Sequence, residues 1–333
     1  MNSSIIHVIL TGGIGSRLWP LSRKSQPKQY LEIFEGKSLF EMTVERNSHL
    51  ANKVMVIGNV DNHHLSEKVM SKTNTEYLNV VEATPRNTAA AIAFAAFAAK
   101  PDDILIITPS DHIIDLMDNY NNAISEAVSK AEEGFIITFG VIPTKPETGY
   151  GYIEAKGDKV ISFREKPNET TAKEFIARGN FLWNSGMFCF KAGVLLEELK
   201  QYQPDVYEKS KAVWEAAKDG FLDLALSMEI PSISIDYAVM ERSKKIKVVP
   251  ASFSWSDLGS FESVYEYLVS KGHSIDSNGN MVIGCECHTT FLGLKNTIFV
   301  HTVDANLILQ KESSQDVKDI YNELERQNSD LLN

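Results

Sequence analysis

An α/β fold with a mainly parallel sheet, followed by a small β domain, is predicted by three observations. Short apolar runs rich in β-branched residues recur as far as Ala251, which suits strands covered on both faces. Helical patterns separate most of these runs, as βαβ connections require. From about His273 the texture changes to brief strands and turns. At 333 residues the chain exceeds one average domain, and the expected division is a large domain over 1–268 and a small one over 269–333.

Ile5–Leu10 is the first strand and runs directly into Gly12, Gly13 and Gly15. Ser38–Asn47 reads as a helix, Lys53–Gly58 as a second buried strand, and the polar stretch from Asn62 as helix-compatible. Asn79–Glu82 is a further strand leading into an alanine-rich helix, with Asn87 or Thr88 as N-cap. Asp102–Ser110 is the next apolar strand and ends at Asp111-His112. Leu116–Glu133 has helical spacing, closed by Gly134, before the strand Phe135–Val141. Residues 143–154, the charged turn Gly157-Asp158 and residues 160–167 read as a hairpin insertion leading into a loop. A helix over Thr171–Arg178 precedes the aromatic strand Phe181–Phe190, which Asn184-Ser185 and Gly186 interrupt. Ala192–Lys218 is mostly helical with Pro204 at a helix start, Asp236 precedes a helix, and Lys245–Ala251 is another strand. The final region offers strands in NGNMVIG, TTFLGL, NTIFVHT and ANLILQ, then a polar helix over Gln315–Arg326.

Lys plus Arg number 33 against 44 Asp plus Glu, a net charge of −11. No general attraction to nucleic acid or an anionic membrane is expected, and a phosphate ligand needs a local cluster of cations. Three cysteines, Cys189, Cys285 and Cys287, are too few for a disulfide scaffold and point to a reducing compartment. The Met-Asn-Ser-Ser start lacks a basic segment with a long apolar one behind it, and no later apolar run reaches bilayer-spanning length. The expectation is a cytoplasmic protein without membrane contact. Cys285-Glu-Cys287-His288 invites a zinc reading, but three candidate ligands with no second pair downstream read better as exposed strand residues.

The required cations lie in His7–Leu31, HVILTGGIGSRLWPLSRKSQPKQYL. Its glycines can take positive φ and bring backbone N–H groups to an anion, and Arg17, Arg23, Lys24 and Lys28 follow at once. The stretch reads as a phosphate-handling loop. It is neither of the two common phosphate motifs, since G-x-G-x-x-G lacks its third glycine and the G-K-[ST] ending of a P-loop is missing. Asp111 stands just past a strand's carboxyl end, where open α/β sheets meet their ligands. It either caps the following segment or supplies a carboxylate to Mg²⁺, and Asp257 stands similarly beyond another strand. His112 reads as structural, because neutral imidazole suits Mg²⁺ poorly.

Glu165 can accept from hydroxyls and Lys166 can meet a phosphate, although E-K-P is also a commonplace exposed turn. Gly149 and Gly151, flanking Tyr150, permit close backbone approach to a sugar. Asn184, set among aromatics, needs partners from the protein or from a ligand hydroxyl. Asp236 can cap, touch a ligand, or do both.

The pattern G-G-x-G-x-R-L-x-P-L-S-R followed by P-K-Q is carried by Gly12, Gly13, Gly15, Arg17, Leu18, Pro20, Leu21, Ser22, Arg23, Pro27, Lys28 and Gln29. It resembles the opening motif of sugar-phosphate nucleotidyltransferases. E-x-x-P-R-N-T-A-A-A-I, from Glu82 to Ile92, is similar to the motif by which mannose-1-phosphate guanylyltransferases (GDP-mannose pyrophosphorylases) differ from uridylyl and thymidylyl relatives. P-S-D-H, F-x-E-K-P, W-N-S-G-M-F and W-S-D-L-G-S-F follow in family order, so the resemblance covers nearly the whole chain.

The resemblance implies a Rossmann-like mixed, mainly parallel sheet flanked by helices, the nucleotide-diphospho-sugar transferase fold. It also implies a short left-handed β-helix-like C-terminal domain, abbreviated here, that serves packing and homodimer contacts. GTP and mannose 1-phosphate are the implied substrates, with Mg²⁺ held by Asp111 and Asp257. Arg17, Lys28 and Lys166 become catalytic. The nucleotide falls to Leu10, Gly12, Gly13, Gly15, Glu82, Arg86, Asn87 and Ser110, with guanine beside Arg86 and Asn87; Pro85-Arg86-Asn87 otherwise reads as an ordinary helix start. The sugar falls to Tyr150, Gly151, Glu165, Lys166, Asn184 and Asp236.

The stop at Asn333 gives the expectation of a single-function form without an isomerase domain. Two other readings stay open: a nucleotidyltransferase for another sugar 1-phosphate (heptose or glucose) or base, and a non-catalytic nucleotide-sugar sensor. Retention of Arg17, Lys28, Asp111, Lys166 and Asp257 argues against the sensor, because binding alone can dispense with the metal.

Overall fold

The computed structural model describes residues 3–32, 36–73 and 75–333, so Met1 and Asn2 of the amino-terminal start lie outside the described residues. The chain divides into two compact units. Met1–Gly12, Thr43–Ser110 and Ile114–Trp255 form the first; Gly13–Met42, Asp111–Ile113 and Ser256–Asn333 form the second. The second unit is therefore more than the segment expected from 269 onward. Its core explains the difference: Leu18, Trp19, Leu39 and Ile113 are buried with Leu258, Phe261 and Val264 and with strand residues such as Met281 and Ile298. Apolar side chains far apart in sequence thus share one core, which outweighs the change of texture at 269.

In chain order the first unit carries β1 (Ile5–Leu10), β2 (Lys53–Asn59), β3 (Tyr77–Glu82), β4 (Ile104–Pro109), then β5 (Ile113–Asp115), which begins in the second unit. β6 (Ile136–Val141), β7 (Tyr152–Lys156), β8 (Lys159–Arg164), β9 (Phe181–Lys191), β10 (Ile246–Ala251) and β11 (Ser254–Ser256) follow. Among the described residues all of these but β5 and β11 join one sheet, in the order β3-β2-β1-β4-β9-β6-β10-β8-β7. β3, β2, β1 and β4 run parallel, whereas β9 is antiparallel to both β4 and β6. The expected mixed, mainly parallel arrangement in the first half is what forms. Parallel strands here are covered on both faces, as the buried Val8, Ile9, Val56 and Leu105 illustrate.

The helix Asn87–Ala98 packs closely, with every residue from Ala89 to Ala96 buried. Its alanines let neighbours approach closely, and Ile92 and Phe94 are buried with them, so the helix is apolar and covered on every face. Neither expected N-cap serves it. Arg86 occupies the cap position without a side-chain bond, Asn87 lies at φ +68°, and the Thr88 hydroxyl instead accepts from the Ile235 N–H at 2.9 Å. The hydroxyl has been taken by a tertiary partner. The helix expected from Thr171 starts earlier, at Glu169, because Asn168 caps it by accepting from the Thr171 N–H.

β7 and β8 form the expected hairpin around Gly157. β9 is continuous through Asn184-Ser185-Gly186, and the interruption read from sequence appears as Gly186 at φ +70° with an irregular register against β6.

The second unit ends in a small β layer of β12 (Met281–Ile283), β13 (Thr297–His301) and β14 (Asn306–Gln310), followed by the helix Val317–Arg326. β12 and β13 pair in parallel, a step compatible with a β-helix, but β13 and β14 form an antiparallel hairpin. TTFLGL makes no strand; it is a turn region in which Leu292 is 94% exposed. Cys285, Cys287 and His288 likewise lie in the loop beyond β12 rather than on a strand. Among the described residues no helix is long and apolar enough to cross a membrane.

Candidate active site

In the second unit the glycine loop is shaped around Lys28. Gly13 and Gly15 both hold positive φ, +94° and +77°. The Ser22 hydroxyl donates to the Gly15 carbonyl at 2.6 Å, and the Lys28 N–H donates to the Ile14 carbonyl at 3.0 Å. A Cβ built on Gly15 falls 2.5 Å from the Lys28 Cβ, so only glycine lets the two segments approach this closely. Gly15→Ala is expected to cost about 2 kcal/mol or more through strain and the forced shift of Lys28, measured by urea unfolding. An unchanged midpoint would contradict this packing.

The Lys28 side chain is 5% exposed, and its ammonium donates to Asp111 Oδ2 at 2.8 Å and to the main-chain carbonyl of Asp257. Lys28 thus joins the Asp111 carboxylate to the backbone of Asp257. Burial by itself raises the Asp111 carboxyl, but Lys28 and the neighbouring His112 outweigh it and hold the group below the usual carboxylate range. His112 Nε2 lies 3.8 Å from Asp111 Oδ1. The Asp257 carboxylate accepts from the Gly259 N–H at 2.9 Å.

Among the described residues no three His, Cys, Asp or Glu side chains gather as a metal centre. The Asp111 carboxylate and the Asp257 carbonyl are oxygen donors of the kind that suits Mg²⁺, a hard ion that takes one or two carboxylates together with waters and substrate phosphates.

Arg17 donates from Nη1 to Gln315 Oε1 at 2.9 Å. Three further contacts tie the loop to the last part of the chain. Trp19 Nε1 donates to the Leu331 carbonyl at 3.0 Å, the Lys24 N–H donates to the Leu332 carbonyl at 2.8 Å, and buried Arg23 pairs with Asp304 at 2.7 Å. Gln315 and Asp304 lie nearly 300 residues from their partners. No spacing rule in the sequence reaches so far.

In the first unit, Leu10, Glu82 and Ser110 stand at or just past the carboxyl ends of β1, β3 and β4, the ligand edge of a parallel sheet. The Ser110 N–H donates to the Leu10 carbonyl at 3.0 Å. Glu82 is buried with Oε1 unpartnered, and burial pushes its carboxyl up to about 7 against the opposing backbone hydrogen bond from Arg86. Arg86 Nε donates to the Ile230 carbonyl at 2.6 Å. Gly12 has open space where a Cβ would lie.

A second cluster forms in the same unit around Asn184. Its Nδ2 donates to Asp236 Oδ1 at 2.8 Å, its Oδ1 accepts from the Gly186 N–H at 3.1 Å and from the Thr138 hydroxyl at 3.3 Å, and its N–H donates to the Gly151 carbonyl at 2.8 Å. The asparagine finds its partners inside the protein. Thr138, on β6, escaped the sequence reading because a threonine in an apolar strand carries no motif.

Asp236 does not cap an α-helix but opens a π-helical turn, Asp236–Met240, a local departure often found where function is built. Burial, and then Glu165, push its carboxyl up to about 6. Glu165 pairs with Lys166 at 3.0 Å, and Lys166 takes φ +40° with its side chain largely exposed. Tyr150 meets Trp183 and Trp255 edge-on at 5.2 and 5.3 Å, forming an aromatic wall.

The chain is similar to known proteins over most of its length. Residues 6–271 match the nucleotidyl transferase family. The alginate biosynthesis protein AlgA of Pseudomonas aeruginosa is 38% identical over 354 residues, covering 97% of this chain and 73% of that protein. A mannose-1-phosphate guanylyltransferase of Escherichia coli is 37% identical over 341 residues, 94% of this chain and 72% of that protein. A solved structure described as a mannose-1-phosphate geranyltransferase from Thermus thermophilus is 28% identical with a TM-score of 0.83, covering 97% of this chain and 99% of that one.

Proposed function

The chain belongs to the nucleotidyl transferase family, and from that premise we propose that it joins α-D-mannose 1-phosphate and GTP to give GDP-mannose and pyrophosphate. The observation that carries this reading is the convergence of Lys28, Asp111 and Asp257 behind a glycine loop, the equipment for a triphosphate and its counter-ion. The names of the relatives support the choice of mannose and guanine.

Two anions must be brought together. An oxygen of the sugar phosphate attacks the α-phosphorus of GTP in line while pyrophosphate leaves, so positioning and charge stabilisation do most of the work. Arg17 and Lys28 hold the triphosphate and polarise the α-phosphoryl group, with Arg17 exchanging Gln315 for phosphate oxygens. The glycine turn contributes backbone N–H groups at Gly13 and Gly15. Asp111 and Asp257 would hold Mg²⁺, which when bound would supply further neutralisation of the developing negative charge. Lys166 positions the attacking phosphate, while Asp236 and Glu165 accept from sugar hydroxyls. A phosphate monoester is largely ionised near neutrality, so no group need remove a proton.

Guanine is read by Glu82 and Arg86. The base presents neighbouring N–H donors, and the unpartnered Glu82 oxygen is a fitting acceptor once ionised. Because this carboxyl titrates at about 7, the KM for GTP is expected to fall as pH rises through that value. Glu82→Gln should flatten the profile and reduce the preference for GTP over ATP by about tenfold. An unaltered profile in the variant would remove Glu82 from the base site.

The function itself is tested by a matrix of nucleoside triphosphates against sugar 1-phosphates, read by pyrophosphate release. GTP with mannose 1-phosphate is expected to give the highest kcat/KM. A maximum with another sugar or base would assign a sibling activity, and tight GDP-mannose binding without any release would make the chain a sensor.

A further inference from the structure

We propose that Lys28 is a built-in substitute for the divalent cation: its ammonium holds Asp111 in the metal-free protein and yields that carboxylate to a divalent ion only when a triphosphate draws the ammonium away. The inference rests on the functional reading for the identity of the triphosphate alone. Three observations carry it. Lys28 is almost wholly buried, and its charge is spent on Asp111 Oδ2 and the Asp257 carbonyl rather than directed to solvent. Gly15 and the bond from the Lys28 N–H to Ile14 fix the lysine backbone, so only the end of the side chain can move. The Asp111 carboxylate lies 2.8 Å from that ammonium, so an incoming cation and Lys28 compete for the same oxygens.

An ammonium and a divalent ion sharing one carboxylate repel strongly at separations near 4 Å, all the more where water is excluded. An anion entering the loop relieves that repulsion by giving the ammonium another partner. Cation and nucleotide must then bind cooperatively, and the coupling is reciprocal. An aspartate pair without such a resident lysine would take up the cation alone.

Titration of the intact protein with Mn²⁺, following the free ion by electron paramagnetic resonance, tests this without any catalysis. In the absence of nucleotide, Lys28→Met is expected to bind Mn²⁺ about tenfold or more tightly than the parent protein. Lys28→Gln, which keeps a donor to Asp111 but no charge, should shift in the same direction if the methionine variant fails to fold. Adding Asp111→Asn to either variant should abolish the gain. Equal or weaker Mn²⁺ binding in both lysine variants, or a gain that survives Asp111→Asn, overturns the proposal. Because the titration contains neither base nor sugar, its outcome is independent of the substrate matrix.

Discussion

Lys28→Ala is expected to lower kcat by on the order of 10²-fold or more while leaving the KM for mannose 1-phosphate within a few-fold. A cation that touches developing charge acts in the transition state more than in the ground state, so its loss appears mainly in turnover. Burial sharpens the effect, since the charge works where water cannot screen it. Removing the ammonium also strands the Asp111 carboxylate without its partner, which should cost about 1–3 kcal/mol in urea unfolding. Arg17→Ala, whose guanidinium lies near the surface on Gln315, should share the kinetic loss without the stability loss. Steady-state pyrophosphate release and denaturant melts distinguish the two, and near-normal turnover in both variants would assign the phosphate-handling role elsewhere.

Asp236→Asn should raise the KM for mannose 1-phosphate by roughly 10- to 100-fold, the range for losing a charged acceptor, with little change in the KM for GTP. Its effect on stability has the opposite sign. Burial and Glu165 hold the folded carboxyl at about 6, above its ordinary value of 3.8, so the folded state retains the proton more tightly than the unfolded state. Stability conferred by that proton is full below the unfolded value and is lost as pH rises through about 6. The asparagine escapes this loss and can still accept from Asn184 Nδ2. A variant more stable than the parent by about 1–2 kcal/mol at pH 8 and equal to it at pH 3.5 is the expected result. Thermal melts at the two pH values check it, and a variant less stable at both would refute the assigned environment.

The parallel half of the fold was legible because β1, β2 and β4 are buried on both faces and so are written as unbroken apolar runs. Asp111 could be picked out from its strand end, since a parallel sheet presents its ligands there, whereas Leu10, Glu82 and Ser110 came from the family resemblance. Local chemistry was harder to read. The N-cap at Asn87 or Thr88 was misjudged because the Thr88 hydroxyl is taken by the Ile235 N–H, and TTFLGL was read as a strand although Leu292 is exposed. Short apolar stretches become strands only where another strand accepts their hydrogen bonds.

The second unit was the least legible feature. Its core joins Leu18 and Trp19 to Leu258 and Phe261, and no periodicity reports a contact across so much sequence. For the same reason Gln315, Asp304 and Thr138 carried no signal, although each holds a motif residue in place. The motif said which side chains to watch. It did not say what steadies them.

That the Leu331 and Leu332 carbonyls hold Trp19 and Lys24 has a practical reach. Because the bonds are made by the main chain, exchanging the two leucine side chains would leave them in place, whereas a shift of the short turn Asp330–Leu332 would release Trp19 and Lys24 together.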